Sequence, residues 1–230
     1  MNLAAALFLG FFLGMRHATD ADHVVAISTI VTRERTLRAA MPIGILWGLG
    51  HTLTILFVGG AIILFGIVIP PHVGLGMEMS VAIMLVMLGA LNVRGDSTTT
   101  DGRLSGAPTP SHRYSGMLGA GRSFRPLFVG IVHGLAGSAA VTLLILGTIR
   151  DARWALGYLL VFGFGTIAGM ALITTALAVP IAASAHRFEK LHRARGVATG
   201  LASVLFGAVL VYRLGFVHGL FTDHPQWTPQ

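Results

Sequence analysis

Ionisable side chains are concentrated in one short stretch of an otherwise apolar segment, RHATDADH at residues 16–23. On an ideal helix with about 3.6 residues per turn, one face holds Arg16, His17, Asp20 and His23, whereas Asp22 points away from it. Imidazole and carboxylate together suit divalent first-row metals such as nickel, cobalt, zinc or manganese. The stretch therefore predicts a metal chelate whose candidate ligands are His17, Asp20, Asp22 and His23.

The apolar surroundings of this stretch place its charges at membrane depth. A charged side chain at the bilayer centre costs about 2.5 to 3.5 kcal/mol, so such residues normally face a cavity or one another and mark a pathway. Arg16, four residues before Asp20, is a candidate residue of that pathway. The alternative is a buried ion-pair network that serves packing alone, in which Arg16 and a protonated histidine neutralise the aspartates.

Two further histidines occur in apolar segments rich in small residues, which let helices approach closely. His51 in GLGHTLTI could reach the first-segment ligands and complete three or four donors, with Thr52 beside the path; alternatively it is a hydrogen-bonded packing residue. His133 in FVGIVHGLAGSAAV could act as a transient ligand or proton acceptor, with Ser138 near it. Its Gly and Ala neighbours could equally form a packing seam.

The composition is that of an all-α membrane protein. Of 230 residues, 54% are hydrophobic and 11% charged, against about 25% charged in an average soluble domain. The absence of cysteine excludes disulfides and thiolate metal sites. The net charge of +7 comes from short loops between apolar segments, so no nucleic-acid partner is expected.

Apolar runs of about 20 residues or more predict six transmembrane helices. They fall at about 3–31, 39–69, 74–93, 127–149, 154–183 and 196–217. We expect a single integral membrane transport domain over 1–230, with a first half (1–95), a flexible cytoplasmic loop (96–125), a second half (126–218) and a short tail (219–230). Most Lys and Arg fall in loops on one side, which the positive-inside rule makes cytoplasmic; both termini then lie outside.

The two halves resemble each other in sequence. FLGMRHATDADHVVAISTI aligns with FVGIVHGLAGSAAVTLLIL, matching His17 with His133, and GLGHT and GALNVRG align with GFGTI and GAVLVYRLG. Because each half has an odd number of spans, the second copy would enter the membrane from the opposite side. This pattern predicts an inverted 3+3 repeat with the substrate site near the midplane.

The motifs RHATDADHV and LGHTLTI resemble the two leading signatures of the nickel/cobalt transporter (NiCoT) family. The resemblance implies that His17, Asp20, Asp22, His23 and His51 recognise and move the divalent cation. A later family signature is here HGLAGSAAV, and the additional amino-terminal helix of typical members is missing. The chain thus looks like a short six-helix member, similar to nickel-transporter-like and urease-accessory membrane proteins.

These observations predict a secondary transporter, not an enzyme, that takes up Ni2+ or Co2+ across the cytoplasmic membrane of a prokaryote. Its partners would be the divalent cation and the lipid bilayer, and no permanently bound cofactor is expected. The pattern assigns no oligomeric state. One alternative is a nickel or cobalt exporter conferring resistance. The other is an intramembrane metal-dependent hydrolase, whose metal would keep an open position for water.

Overall fold

The computed structural model describes residues 3–32, 37–101, 124–136, 149, 151–185, 189–222 and 224–227. These residues form seven α-helices: α1 (Leu3–His17), α2 (Ala21–Val31), α3 (Leu37–Phe65), α4 (Pro71–Asp101), α5 (Phe124–Ala136), α6 (Ala152–Ala185) and α7 (Glu189–Tyr212). A π-helical turn, Arg213–Val217, continues α7. The described part contains no β-strand, so the predicted all-α class is confirmed.

Four helices are long and apolar enough to cross a membrane, through the segments Ala40–Phe65, Pro71–Arg94, Ala152–Pro180 and Ala194–Val217. Each coincides with one of the predicted spans. The predicted loop at 96–125 is shorter at both ends, because α4 extends to Asp101 and α5 already begins at Phe124. Residues 102–123 of that loop lie outside the described part.

The first apolar segment is broken between α1 and α2, so the prediction of one continuous helix over 3–31 is wrong. At the break, Thr19 donates through both its backbone N–H and its hydroxyl to the carbonyl of Arg16, at 2.8 and 2.6 Å. Asp20 then takes an extended conformation with ψ of 148° before α2 begins. The Thr19 hydroxyl thus competes with the helical hydrogen bonds at the end of α1, which favours a break at this point.

The break changes the direction in which Asp22 points. On a continuous helix it would point away from the face that holds His17 and Asp20, but the structure places its carboxylate against the neighbouring His23 and against His133 of α5. The predicted outward orientation of Asp22 is therefore wrong. Because α2 is a new helix with its own axis, the helical phase of α1 does not relate Asp22 to His17, whereas its contact with His23 joins adjacent residues of α2.

Glycines bring helices of the two halves into backbone contact. In the packing of α1 on α6, a Cβ at Gly14 would clash with the carbonyl oxygen of Phe162, and one at Gly165 with that of Phe11. In the packing of α5 on α3, Gly130 meets the carbonyl of Trp47 in the same way. Small residues permit this approach, and it places α1, α3 and α5 close to one another.

The broken helix is anchored at its far end by buried polar groups. Thr29 of α2 donates its hydroxyl to the carbonyl of Thr199 on α7, at 3.4 Å. Asn92 of α4 donates to the carbonyl of Gly196 at 3.1 Å and to the hydroxyl of Thr32 at 3.4 Å. α4 and α7 pack along each other, and these bonds fix the end of α2 against that pair.

Candidate metal centre

Five side chains from four helices converge at the break in the first apolar segment. His17 is the last residue of α1, and Asp22 and His23 belong to the first turn of α2. His51 comes from the middle of α3, and His133 comes from α5. His23, His51 and His133 are buried, with side-chain exposures of 2%, 0% and 1%.

A first donor set consists of His17, His23 and His51. One ring nitrogen from each lies within 4.8 Å of the others. The Nε2 atoms of His17 and His51 are 3.1 Å apart. Adjacent imidazole ligands on one metal, with metal–nitrogen bonds of about 2.0 to 2.1 Å, are separated by roughly 2.9 to 3.4 Å. This pair of nitrogens is therefore spaced for a common cation.

A second donor set consists of Asp22, His23 and His133, again with one donor atom from each within 4.8 Å of the others. Asp22 Oδ1 lies 3.1 Å from Nδ1 of His23, and Oδ2 lies 3.0 Å from Nε2 of His133. The second of these contacts has the distance of an ion pair but not the angles of a hydrogen bond. A carboxylate and two imidazoles form a ligand set that divalent first-row cations accept.

Asp20 contacts this centre through another residue. Its Oδ2 lies 2.8 Å from Nδ1 of His17, which leaves Nε2 of His17 facing His51. The Asp20 side chain is 54% exposed and belongs to neither donor set. A carboxylate on the second ring nitrogen of a histidine fixes its tautomer and orientation and raises its basicity as a ligand.

Three buried imidazole nitrogens have no polar partner among the described residues, His23 Nε2, His51 Nδ1 and His133 Nδ1, and the same holds for Nε1 of Trp47 beside them. A buried polar atom left unsatisfied costs about 1 to 3 kcal/mol. Close packing of histidines for structure alone would be expected to pair such atoms. Their concentration at one place makes the cluster a candidate site for a cation or water.

Trp47 forms one wall of the site and was not among the candidates from the sequence. Its fully buried indole stacks on the ring of His23, with centroids 6.1 Å apart and planes at 10°, and meets the ring of His133 edge-on at 5.5 Å. Trp47 precedes His51 by four residues, one helical turn on the same face of α3. That spacing is the sequence signal that could have identified it.

The four candidate path residues have different positions. His133 is part of the second donor set. Arg16 is exposed, and its neighbour Asp20 pairs with His17 instead. Thr52 is turned toward α6, where its hydroxyl donates to the carbonyl of Gly163 at 3.1 Å, and Ser138 lies outside the described residues.

Comparison with known proteins gives one relative that covers almost the whole chain. A urease accessory protein, UreH, from Bacillus sp. (strain TB-90) is 38% identical over 225 residues, which are 96% of this chain and 96% of the relative. No family model matches the chain, and no solved structure matches it. This match confirms the predicted similarity to urease accessory proteins. At this identity and coverage, the chain belongs to the family of the urease accessory protein UreH.

Proposed function

We propose that this protein is a membrane transporter for divalent transition-metal cations and that it takes up Ni2+ or Co2+. The observation that carries the proposal is the cluster of buried, unpartnered imidazole nitrogens beside a carboxylate, at a break in an apolar helix. Ionisable residues at such a position are expensive unless they serve a pathway. The metal ligands we propose are His17, Asp22, His23 and His51, with Asp20 orienting His17.

The relative supports nickel as the cargo. Its name assigns it to the accessory proteins of urease, and urease is a nickel enzyme. An accessory protein with several apolar helices suits the supply of that metal better than a catalytic step. Three imidazoles and a carboxylate also suit nickel and cobalt better than the oxygen-seeking Mg2+ or Ca2+.

The helix break itself favours cation binding at this depth. The carbonyl end of α1 carries the negative end of its helix dipole, which stabilises a cation near His17. The amino-terminal end of α2 would repel a cation, but Asp22 lies in that first turn and offsets it. Discontinuous helices with this polarity are a recurring way for transporters to hold ions near the midplane.

We further propose six spans arranged as an inverted 3+3 repeat, which equivalent contacts in the two halves support. Gly14 meets the carbonyl of Phe162, and Gly130 meets that of Trp47. In the alignment that matches His17 with His133, Gly14 corresponds to Gly130. In the alignment of GLGHT with GFGTI, extended by one residue, Trp47 corresponds to Phe162. The same backbone approach therefore occurs twice.

The third helices of the two halves support the same proposal. Gly89 of α4 approaches the carbonyl of Gly200 on α7, where a Cβ would lie at 2.5 Å. Gly207 of α7 approaches the carbonyl of Ala82 on α4, where a Cβ would lie at 2.8 Å. The alignment of GALNVRG with GAVLVYRLG pairs these glycines. Repeats related in this way place the site at their interface and give it access from both sides in turn.

Uptake is tested by accumulation of radioactive nickel in cells that express the chain, His17→Ala or His23→Gln, beside an empty vector. His72→Gln is the matched control, because His72 is exposed at the start of α4, outside both donor sets. We expect accumulation above the vector level with the native chain and with His72→Gln, and none with the two site variants. A site-dependent fall in accumulation would mean export, and equal accumulation in all strains would refute transport of nickel.

A further inference from the structure

The donors around His23 form two sets, not a single ligand sphere. In the first set, Nε2 of His17 lies 3.1 Å from Nε2 of His51. In the second set, Oδ2 of Asp22 lies 3.0 Å from Nε2 of His133. Among the described side chains, His23 alone belongs to both sets. Its ring lies 5.0 Å from that of His51 and 4.2 Å from that of His133, centroid to centroid.

We propose that the transported ion occupies two adjacent positions in turn and that His23 binds it in both. The inference rests on the proposed function and deepens it. In the first position the protein donors are the nitrogens of His17, His23 and His51, and in the second they are Asp22, His23 and His133. Water fills the remaining coordination sites, and the ion stays divalent throughout, so each transfer is an exchange of ligands without electron transfer.

The shared ligand makes the transfer possible at low dielectric. An ion that released all its ligands between positions would be a bare divalent charge in an apolar interior, which is prohibitively costly. With one and the same ring nitrogen of His23 bound throughout, His17 and His51 are exchanged for Asp22 and His133 one at a time. Since the first set supplies only neutral nitrogens and the second adds a carboxylate, the second position holds the divalent charge more strongly.

The helices supply a means of selecting between the positions. His17 ends α1, whereas Asp22 and His23 begin α2, and the non-helical Ala18 to Asp20 link lies between them. On the other side, Gly134 beside His133 packs against the backbone of His51, where a Cβ would lie 2.7 Å from the carbonyl oxygen. A displacement of α1 relative to α2 therefore opens the first set without disturbing the second.

A Co2+ titration of the purified full-length protein in detergent distinguishes the two positions. Binding is monitored by the visible absorption of the bound Co2+. His51→Gln removes a ligand from the first position, His133→Gln from the second, and His23→Gln from both; His72→Gln is the control. We expect one equivalent of Co2+ bound in the native protein. Each single variant of His51 or His133 should still bind it: His51→Gln, which keeps the stronger second position, within about twofold of the native affinity, and His133→Gln, which keeps only the first position, on the order of tenfold more weakly. Their spectra should differ, because one retains three nitrogens and the other a carboxylate.

His23→Gln and the double variant of His51 and His133 should bind at least a hundredfold more weakly. If His51→Gln and His133→Gln gave identical Co2+ spectra and both bound Co2+ as weakly as His23→Gln, all the donors would form one ligand sphere and the proposal would be overturned. The proposal would also be overturned if His133→Gln had the same Co2+ affinity and the same spectrum as the control His72→Gln, because His133 would then not bind the ion. If His133→Gln is not recovered, Asp22→Asn removes the same position. Uptake by proteoliposomes is measured separately, so that absent transport refutes the proposed function while binding still decides between one position and two.

Discussion

At the scale of single residues, Asp20 contacts the candidate metal centre through His17. Its carboxylate holds Nδ1 of His17 at 2.8 Å and lies outside both donor sets. Asp20→Asn should therefore weaken Ni2+ binding by about 10- to 100-fold, as the loss of an orienting carboxylate does, while His17→Ala should weaken it more. Calorimetric titration of the purified protein measures both, with His72→Gln as control. If Asp20→Asn removed binding as fully as His23→Gln, Asp20 would be a ligand itself.

Trp47 gives a second test at this scale, because its indole stacks on His23. An open-shell cation bound at His23 should quench the fluorescence of an indole a few ångströms away. Trp47→Phe should lose most of the Ni2+-dependent quenching, and the half-exposed Trp154 provides the control variant Trp154→Phe, which should keep it. Trp47→Ala should also lower the free energy of unfolding by about 3 to 5 kcal/mol, the usual loss for a buried aromatic residue. Equal quenching in both Phe variants would place the cation elsewhere.

The sequence predicts the residue types of the site better than their roles. His17, His23 and His51 are identified by ionisable chemistry in an apolar setting, and the structure brings these three together. The positions of Asp20 and Asp22 depend on the break between α1 and α2. A continuous helix predicts Asp20 on the ligand face and Asp22 away from it, whereas in the structure Asp22, not Asp20, belongs to a donor set. His133 approaches His23 only through the packing of α5, which no local spacing encodes, whereas Trp47 is recognisable only from its four-residue spacing to His51.

At the scale of elements, the glycine contacts between helices give matched predictions for the two halves. Gly14→Ala and Gly130→Ala each place a Cβ against a carbonyl oxygen, of Phe162 and Trp47 respectively, so the helices must separate. Each should lower the free energy of unfolding by about 1 to 3 kcal/mol, the usual range for overpacking. Thermal unfolding in detergent measures the change.

Gly157 of α6 supplies the control for these substitutions. A Cβ there meets nothing within 4 Å, so Gly157→Ala should be neutral or stabilise its helix by up to about 1 kcal/mol. If Gly14→Ala and Gly130→Ala behaved like Gly157→Ala, the backbone contacts between helices would contribute nothing to stability. A loss confined to one of the two variants would argue against the equivalence of the halves.

Long helices are the elements that the sequence predicts most closely. The predicted span at 154–183 corresponds to Ala152–Ala185, and that at 39–69 to Leu37–Phe65, since apolar length alone determines them. The break at residues 18–20 escapes this reasoning because Ala, Thr and Asp occur in helices as well as at their ends. Only the hydrogen bond from the Thr19 hydroxyl to the carbonyl of Arg16 distinguishes the two cases.

At the scale of the whole molecule, the contacts that build the site join distant parts of the chain. α1 packs on α6, and α3 packs on α6 and, through Gly130 and Gly134, on α5. The first half thus provides most of the donors, while His133 comes from the second. Hydropathy predicts the number and length of apolar segments but not which of them touch. The internal similarity of the two halves is the sequence signal that points to such interleaving.

The proposed transport should respond to the membrane potential. The donor sets contain one carboxylate within them, so a bound divalent ion keeps net positive charge as it crosses. A potential of 100 mV, negative inside, then favours entry by about 2.3 kcal/mol per charge, or about 4.6 kcal/mol for the ion. In proteoliposomes, a potassium diffusion potential set with valinomycin should raise initial Ni2+ uptake by the native chain and His72→Gln, and have no effect with His23→Gln. If valinomycin did not change the rate of Ni2+ uptake, two protons would have to leave for each Ni2+ ion that enters, so that no net charge moves. Measuring the internal pH during uptake would test this exchange.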